Sequence, residues 1–267
     1  MWNLRSCLML PPTLAAVAVL LAADIVGAQQ PAHRAADSPL TIDASIALHS
    51  LTVLGDMHLQ KVADTYRLIA SLPAVRSAEW QSIRMPLEEA ARMNVAAIHW
   101  FALPDGTYWT VEQDEVAGNL ADRPYFPRVL AGQTVIGELV VSRSTGRSTA
   151  IVAVPVYGDN ETVVAVLGAS IHLDSLSQRI REEMQLHPDQ LFFSLDREPI
   201  VGLHTDPHVI FLHPLEEDDP ELGRAIREMV SRDSGVATYA FRGRQRTVLY
   251  QRSAVTNWWY AFGIVHP

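Results

Sequence analysis

The spacing of apolar residues predicts that the chain begins its fold with a long helix. After Thr41, apolar residues recur at intervals of three and four, and no proline interrupts them before Pro73: Ile42, Ile46, Leu48, Leu51, Val53, Leu54, Met57, Leu59, Val62, Tyr66 and Ile69. This period is that of an amphipathic helix. A second helical stretch follows over 77–93, where Pro86 predicts a kink or a break. We therefore expect a helical region over 41–94.

From Ala96 the period changes to that of strands. The segment AAIHWFAL leads into Asp105-Gly106 and out again as TYWTV, which predicts a hairpin. After a short helix predicted over 123–130, three strands are expected in VIGELVVS, STAIVAVPV and TVVAVLGASI. Turn residues separate them, so that 135–171 is predicted to be an antiparallel meander. With a helix over 173–184, these elements form a module predicted to span 95–186.

Residues 187–267 repeat this plan on a smaller scale. LFFSL and PIVGL predict two strands, and a helix is predicted over 220–231, with Asp219 as its N-cap. Three further strands are expected in GVATYAF, RTVLYQ and WWYAFGIV. The predicted fold class is α+β, with the long N-terminal helix followed by two modules, each a central antiparallel sheet flanked by helices.

The first 28 residues follow a different pattern, that of a secretory signal. Arg5 precedes an apolar run over 14–23, and Val26 and Ala28 place small residues where a signal peptidase cleaves. We expect a signal peptide over 1–28, cleavage after Ala28, a flexible tether over 29–40, and a periplasmic or secreted protein. The alternative is an uncleaved N-terminal membrane anchor, although the run is shorter than the ~20 residues of a spanning helix.

Composition narrows the functional classes. The formal charge is −9, which disfavours nucleic acid and anionic membranes as partners. The single cysteine, Cys7, lies in the predicted signal, so the mature chain would form neither a disulfide nor a thiolate metal site. No nucleophile elbow, phosphate loop or dinucleotide fingerprint occurs, and we expect a protein that is not an enzyme and needs no cofactor.

Several short motifs occur in an order typical of one family. They are the Asp-Gly hairpin, an NL-x-D-R-x-Y-F segment from Asn119 to Phe126, the bend at Ala131-Gly132, SRSTG over 142–146, LGAS over 167–170, and Trp258-Trp259. In this order they resemble the double Cache family of extracytoplasmic, PAS-like sensor domains. The likeness covers nearly all of the mature chain. It implies that 95–186 is a module of the membrane-distal type and 187–267 one of the membrane-proximal type.

The resemblance implies a ligand pocket between the sheet of the first module and the loops after the R-x-Y-F segment. A guanidinium offers two parallel donors to a carboxylate, and aromatic walls exclude water. Arg123 with the two rings that follow supplies this combination. The ligand-binding residues expected on this basis are Trp109, Arg123, Tyr125, Phe126, Arg143, Ser144, Ser148 and Ser170. The competing interpretation is that Arg123 pairs with a surface acid and the two rings pack in the core.

The same resemblance bears on the ligand and the partner. Amino-acid-binding members carry an acid for the ligand's ammonium near the position of Ala169-Ser170, which this chain lacks. A buried ammonium without a carboxylate is costly, so we expect a small carboxylate or a neutral polar molecule. Since the sequence ends at Pro267 without an output domain, the expected partner is an envelope sensor, receptor or transporter. The long helix is also compatible with a weak homodimer.

A second functional hypothesis is a metal-binding protein or a metal-dependent hydrolase. Imidazoles and a carboxylate cluster in one loop, at His204, Asp206, His208 and His213. The loop contains Pro207 and Pro214, and no His-Glu-x-x-His arrangement occurs. We therefore expect solvated loop histidines and no metal site.

Overall fold

The segment after Thr41 in which apolar residues recur at helical spacing forms a single helix, α1 (Ala44–Ala70). Its N-cap is Asp43, whose carboxylate accepts a hydrogen bond of 2.8 Å from the backbone N–H of Ser45. The computed structural model describes residues 43–143 and 145–267. The signal peptide predicted over 1–28 and the tether predicted over 29–40 lie outside the described residues.

A second helix, α2 (Trp80–Met93), runs through Pro86 without a break. Of the two outcomes predicted at Pro86, a kink or a break, the break does not occur. A proline removes one backbone hydrogen bond from a helix, but the residues on either side, Ile83 and Leu87, are fully buried in the core. Their burial holds the helix against the sheet despite the missing bond.

The first sheet has six antiparallel strands: β1 (Ala97–Ala102), β2 (Tyr108–Thr110), β3 (Asp114–Glu115), β4 (Val135–Val141), β5 (Ser148–Tyr157) and β6 (Val163–His172). Their order is β3-β2-β1-β6-β5-β4. The predicted hairpin at Asp105-Gly106 and the predicted meander are both confirmed. Gly106 has a φ of 88°, a conformation that glycine adopts without strain.

The helix predicted over 123–130 is shorter than expected, because α3 covers only Phe126–Leu130. Proline is accommodated in the first turn of a helix but not in its interior. Pro127 therefore places the start of α3 next to it, and the residues from Ala121 to Tyr125 form turns instead. This leaves Arg123 on a loop.

The second sheet has five antiparallel strands: β7 (Gln190–Leu195), β8 (Val201–His204), β9 (Ser234–Phe241), β10 (Arg244–Arg252) and β11 (Trp259–Val265). Their order is β8-β7-β11-β10-β9. Helix α4 (Leu173–Met184) precedes this sheet, and α5 (Pro220–Val230) lies within it in sequence. The Asp219 N-cap is confirmed, because its carboxylate accepts from the N–H groups of Glu221 and Leu222.

Helix α1 contacts both sheets. In the first, the Tyr66 hydroxyl lies 3.0 Å from the Gly168 carbonyl oxygen and 2.6 Å from Nδ1 of His99. In the second, the Asp56 carboxylate accepts hydrogen bonds from Ser253 at 2.8 Å and from Tyr260 at 3.2 Å. The predicted α+β class, with an N-terminal helix and two antiparallel sheets, is confirmed.

Within the described residues, no helix combines the length and the apolar character that crossing a membrane requires.

Candidate ligand-binding site

Strand alternation decides which side chains of the β1–β2 hairpin face the site. Successive residues of a strand point to opposite faces of the sheet. Trp100 pairs with Thr110, and Ala102 pairs with Tyr108, so these side chains share one face. Phe101 pairs with Trp109 on the other face, where their rings lie 5.6 Å apart between centroids. That second face packs against the helices.

The floor of the site is the Trp100 indole, which lies against Gly168 of β6. A Cβ at position 168 would come within 2.0 Å of the Trp100 ring, so only glycine leaves room for it. The indole Nε1 donates to the Ser170 hydroxyl at 3.3 Å. On its other side the ring approaches Tyr125, at 6.3 Å between centroids. The aromatic floor is therefore packed against β6 and α3.

A cavity lies above this floor, bounded by the sheet, the turn before α3 and the β4–β5 hairpin. Its empty volume, which includes space open to solvent, is about 370 Å³. It is lined by Ile98, Trp100, Tyr108, Thr110, Leu120, Arg123, Tyr125, Val140, Ser142, Arg143, Ile151 and Ser170. We call it the first-sheet cavity. None of its lining residues is acidic.

Two arginines line the cavity, and their environments differ. Arg143 donates to both carboxylate oxygens of Asp122, at 2.7 and 2.6 Å, and to the Asn119 carbonyl. Arg123 donates to the Val141 carbonyl at 3.0 Å, and among the described residues no acidic side chain forms an ion pair with it. Arg143 thus has a carboxylate partner in Asp122, whereas the half-buried Arg123 donates to a backbone carbonyl oxygen.

The two tyrosines of the cavity are hydrogen-bond donors at neutral pH. Burial raises the pKa of Tyr108, and the positive charges of Arg123 and Arg143 oppose this only in part. Burial also raises the pKa of Tyr125 well above its usual value. Both phenols therefore keep their protons. Together with Arg123 they give the cavity a set of donors suited to an anion or a polar oxygen.

The structure brings four of the expected ligand-binding residues together around the cavity: Arg123, Tyr125, Arg143 and Ser170. The other expected residues lie elsewhere. Trp109 is on the helix-packed face, and Ser148 shares that face with the buried Ala150 and Val152 of β5. Phe126 is buried in the core beneath the cavity, and Ser144 is outside the described residues.

Sequence reasoning missed several residues that line the cavity: Ile98, Trp100, Tyr108, Thr110, Leu120, Val140, Ser142 and Ile151. A signal for three of them was present. Trp100, Tyr108 and Thr110 alternate with Phe101 and Trp109 across the predicted hairpin, so one face had to hold either Trp109 or the other three. The Gly168 opposite Trp100 could have decided between the faces, because a large ring needs a glycine partner.

The loop histidines of the metal hypothesis are not brought together. His204 is buried at the end of β8, while His208 belongs to a short 3₁₀ turn (Pro207–Val209) and His213 lies 3.7 Å from Glu216. Within 43–143 and 145–267, no group of three or more histidine, cysteine or acidic side chains could hold a metal ion.

The described fold matches several solved structures. The extracellular domain of rpHK1S-Z16, described as a histidine kinase, gives a TM-score of 0.68 at 15% identity over 83% of this chain and 92% of that one. The chain has the fold of an extracellular sensor domain. The ligand-binding domain of the Pseudomonas aeruginosa amino acid chemoreceptor PctB, in complex with L-Arg, gives 0.63 at 13% identity, covering 83% of this chain and 94% of that one.

A third solved structure supports the same conclusion about the sensor-domain fold. The sensor domain of the V. cholerae histidine kinase DctB gives a TM-score of 0.57 at 14% identity over 85% of this chain and 100% of that domain. The resemblance to Cache sensor domains is confirmed at the level of the fold. No protein-family model matches the chain, and no match was found among curated protein sequences.

Proposed function

We propose that this chain is an extracytoplasmic sensor-type binding protein that takes a small carboxylate, or a neutral polar molecule, in the first-sheet cavity. The observation that carries the proposal is Arg123, a half-buried cation that lines a cavity without acidic residues and has no described carboxylate partner. A charged group that is partly removed from water gains most from a charge-assisted hydrogen bond. A bound carboxylate would supply it.

The composition of the walls supports a ligand without a positive charge. An ammonium group in this cavity would meet Arg123 and Arg143 and no carboxylate, which is unfavourable. Hydroxyl groups from Thr110, Ser142 and Ser170 give further polar contacts around the ligand position. This is why we favour a carboxylate over an amino acid, although the chemoreceptor structure with the same fold was solved with L-Arg.

The route of the signal is part of the proposal. Solved domains of this fold include those of histidine kinases and of a chemoreceptor, and we propose that this chain acts through an envelope sensor, receptor or transporter. We also retain the cleaved signal peptide and the weak homodimer as predictions. Exposed apolar residues on α1, Ile46, Val53 and Met57, support side-by-side pairing of this helix.

A screen of organic acids and their amides by thermal shift tests the proposal, because a ligand that binds only the folded protein raises its Tm. We expect a carboxylate to raise the Tm and Arg123→Gln to weaken its binding at least about tenfold. The matched control is Arg128→Gln, which removes an exposed arginine on α3 that pairs with Glu138 outside the cavity. Equal binding to Arg123→Gln and the unmodified protein would refute the proposal.

Two tryptophans provide a second matched pair for the same assay. Trp100→Phe alters the floor of the cavity, whereas Trp109→Phe alters the opposite face of the same hairpin. We expect only Trp100→Phe to weaken binding. Urea unfolding of both variants separates a loss of binding from a loss of fold. Weaker binding to Trp109→Phe alone would place the site on the other face of the sheet.

A further inference from the structure

A second cavity lies in the second sheet, between the strands and α5. Its empty volume, which includes space open to solvent, is about 310 Å³. Most of its wall is apolar, formed by Phe193, Leu195, Val201, Val209, Leu212, Pro214, Leu222, Ile226 and Phe241. Three polar residues complete the lining, and they are His204, Tyr239 and Arg246. We call this the second-sheet cavity.

Arg246 is the least satisfied of these polar residues. Its Nε is fully buried and has no hydrogen-bond partner, and its guanidinium lies over the Phe241 ring, 4.6 Å from the centroid. The Nε of Arg252 is also buried without a partner, but that guanidinium pairs with Asp233 at 3.5 Å. Among the described residues, no carboxylate forms an ion pair with Arg246. A buried donor without an acceptor is costly.

The other charged groups near the cavity do not compensate Arg246. The nearby carboxylate of Asp206 lies 3.8 Å from the Arg242 guanidinium. Burial and the charge of Arg246 lower the pKa of His204 to about 4, so its imidazole is neutral at pH 7. Its Nδ1 accepts a hydrogen bond of 2.8 Å from the Asp206 N–H, which leaves the proton on Nε2. One positive charge therefore remains without a counterion.

The third polar residue, Tyr239, is a neutral hydroxyl beside the guanidinium. Burial raises its pKa to about 12, and Arg246 acts in the opposite direction. Tyr239 and Arg246 are directly paired across β9 and β10. The cavity thus combines one guanidinium and two neutral polar side chains with an aliphatic and aromatic wall.

We propose that the second-sheet cavity is a separate binding site for a small apolar monocarboxylate, whose carboxylate contacts Arg246 while its hydrocarbon part lies against the apolar wall. A carboxylate would satisfy the buried Nε–H and balance the charge. A ligand whose far end is charged or strongly polar is disfavoured, because the lining apart from Arg246, His204 and Tyr239 is apolar. This site is independent of the first-sheet cavity.

His204 also lines a groove between α4 and the end of β8, together with Ser177, Gln178 and Thr205. The groove and the second-sheet cavity therefore share one lining residue.

Isovalerate and benzoate are suitable probes, with isovaleramide and benzamide as neutral controls of the same shape. We expect calorimetry on the full chain to show binding of the acids and, for the amides, binding at least about tenfold weaker. Arg246→Gln should weaken acid binding by a similar factor. The matched control, Arg244→Gln, removes an exposed arginine two residues away on the same strand that does not line the cavity. Arg123→Gln separates this site from the first-sheet cavity.

A measurement on the unmodified protein covers the case in which Arg246→Gln does not fold. The buried Nε–H of Arg246 should give a protected ¹⁵N–¹H resonance, and isovalerate should shift it. Three results would overturn the proposal: no binding of either acid, equal binding of acid and amide, or an Nε–H resonance that the acid leaves unchanged. Acid binding that depends on Arg123 and not on Arg246 would assign the acid to the first-sheet cavity and overturn the second site alone.

Discussion

The two cavities use the same pair of groups, an arginine and a buried tyrosine, in opposite surroundings. The first-sheet cavity has hydroxyls from Ser142 and Ser170 in its wall and a second arginine that Asp122 neutralises. The second-sheet cavity has an almost wholly apolar wall. If both proposed sites bind acids, the guanidinium selects for negative charge in each, and the wall decides whether the rest of the ligand is polar. Two such sites on one fold would then bind different organic acids, one set polar and the other apolar.

The largest effects are expected at two glycines on central strands, one in each sheet. A Cβ on Gly263 would lie 2.0 Å from the backbone oxygen of Thr247, whereas the three atoms nearest to a Cβ on Gly168 all belong to the side chain of Trp100. Since backbone cannot rotate away, Gly263→Ala should destabilise the protein by about 3 kcal/mol and Gly168→Ala by about 2 kcal/mol. Urea unfolding measures both.

The Gly168→Ala variant should also distinguish binding in the first-sheet cavity from binding in the second-sheet cavity. Gly168→Ala displaces the indole floor, so we expect it to abolish binding in the first-sheet cavity and to leave the Arg246 site intact. A change in unfolding free energy below about 0.5 kcal/mol for both variants would contradict the packing described for these strands.

The next effect concerns pH, because each half of the molecule buries one neutral histidine. Burial lowers the pKa of His99, next to Tyr66, and of His204 to about 4. The unfolded chain binds these protons near pH 6.5, so stability is lost as the pH falls from there towards 4. Each imidazole should contribute about 1 kcal/mol of this loss between about pH 6 and about pH 5.

His99→Gln and His204→Gln test this assignment. Each variant should flatten the pH dependence of the unfolding free energy by the contribution of its own histidine, and the double variant by the sum, because the two sites share no contact. Urea unfolding at a series of pH values gives these slopes. Slopes equal to that of the unmodified protein would show that neither imidazole is held neutral by the fold.

The smallest effect on stability is expected at Asp122, which is exposed. Its carboxyl is held ionised by Arg143, which lowers its pKa. Asp122→Asn should leave the Tm almost unchanged, because exposed ion pairs contribute little. It should strengthen anion binding in the first-sheet cavity, since Arg143 is then free to act beside Arg123. Unchanged or weaker binding of the acid would show that Asp122 serves to position Arg143 for the ligand.

Most of the fold could be predicted from local patterns. The meander and the Asp-Gly hairpin depend on turn residues that act within a few positions, and the Asp219 cap depends on contacts two and three residues away. The start of α3 was predicted three residues too early, because the place of Pro127 in the first helical turn was not taken into account. The absence of a break at Pro86 could not be predicted locally, because the burial of Ile83 and Leu87 is a tertiary effect.

The cavities depend on which strands pair, and local patterns do not contain that information. From sequence alone, Trp109 and Trp100 are equally plausible as residues of the ligand site. The pairing of β1 with β6 places Gly168 opposite Trp100 and so distinguishes them. Likewise, the ion pair of Arg143 with Asp122 joins side chains that are 21 residues apart in the sequence. The second-sheet cavity was missed because its polar residues His204, Tyr239 and Arg246 come from three different strands, β8, β9 and β10, whose order in the sheet is not a local property.

Helix α1 is fastened to each sheet by a hydroxyl-containing contact, at Asp56 and at Tyr66. Ten residues of helix separate these points, a distance of about 15 Å. Because the helix is rigid, a tilt of α1 at one of these contacts displaces the helix at the other. The position of the second sheet is therefore coupled through α1 to the backbone of Gly168, against which the Trp100 indole of the first-sheet cavity packs.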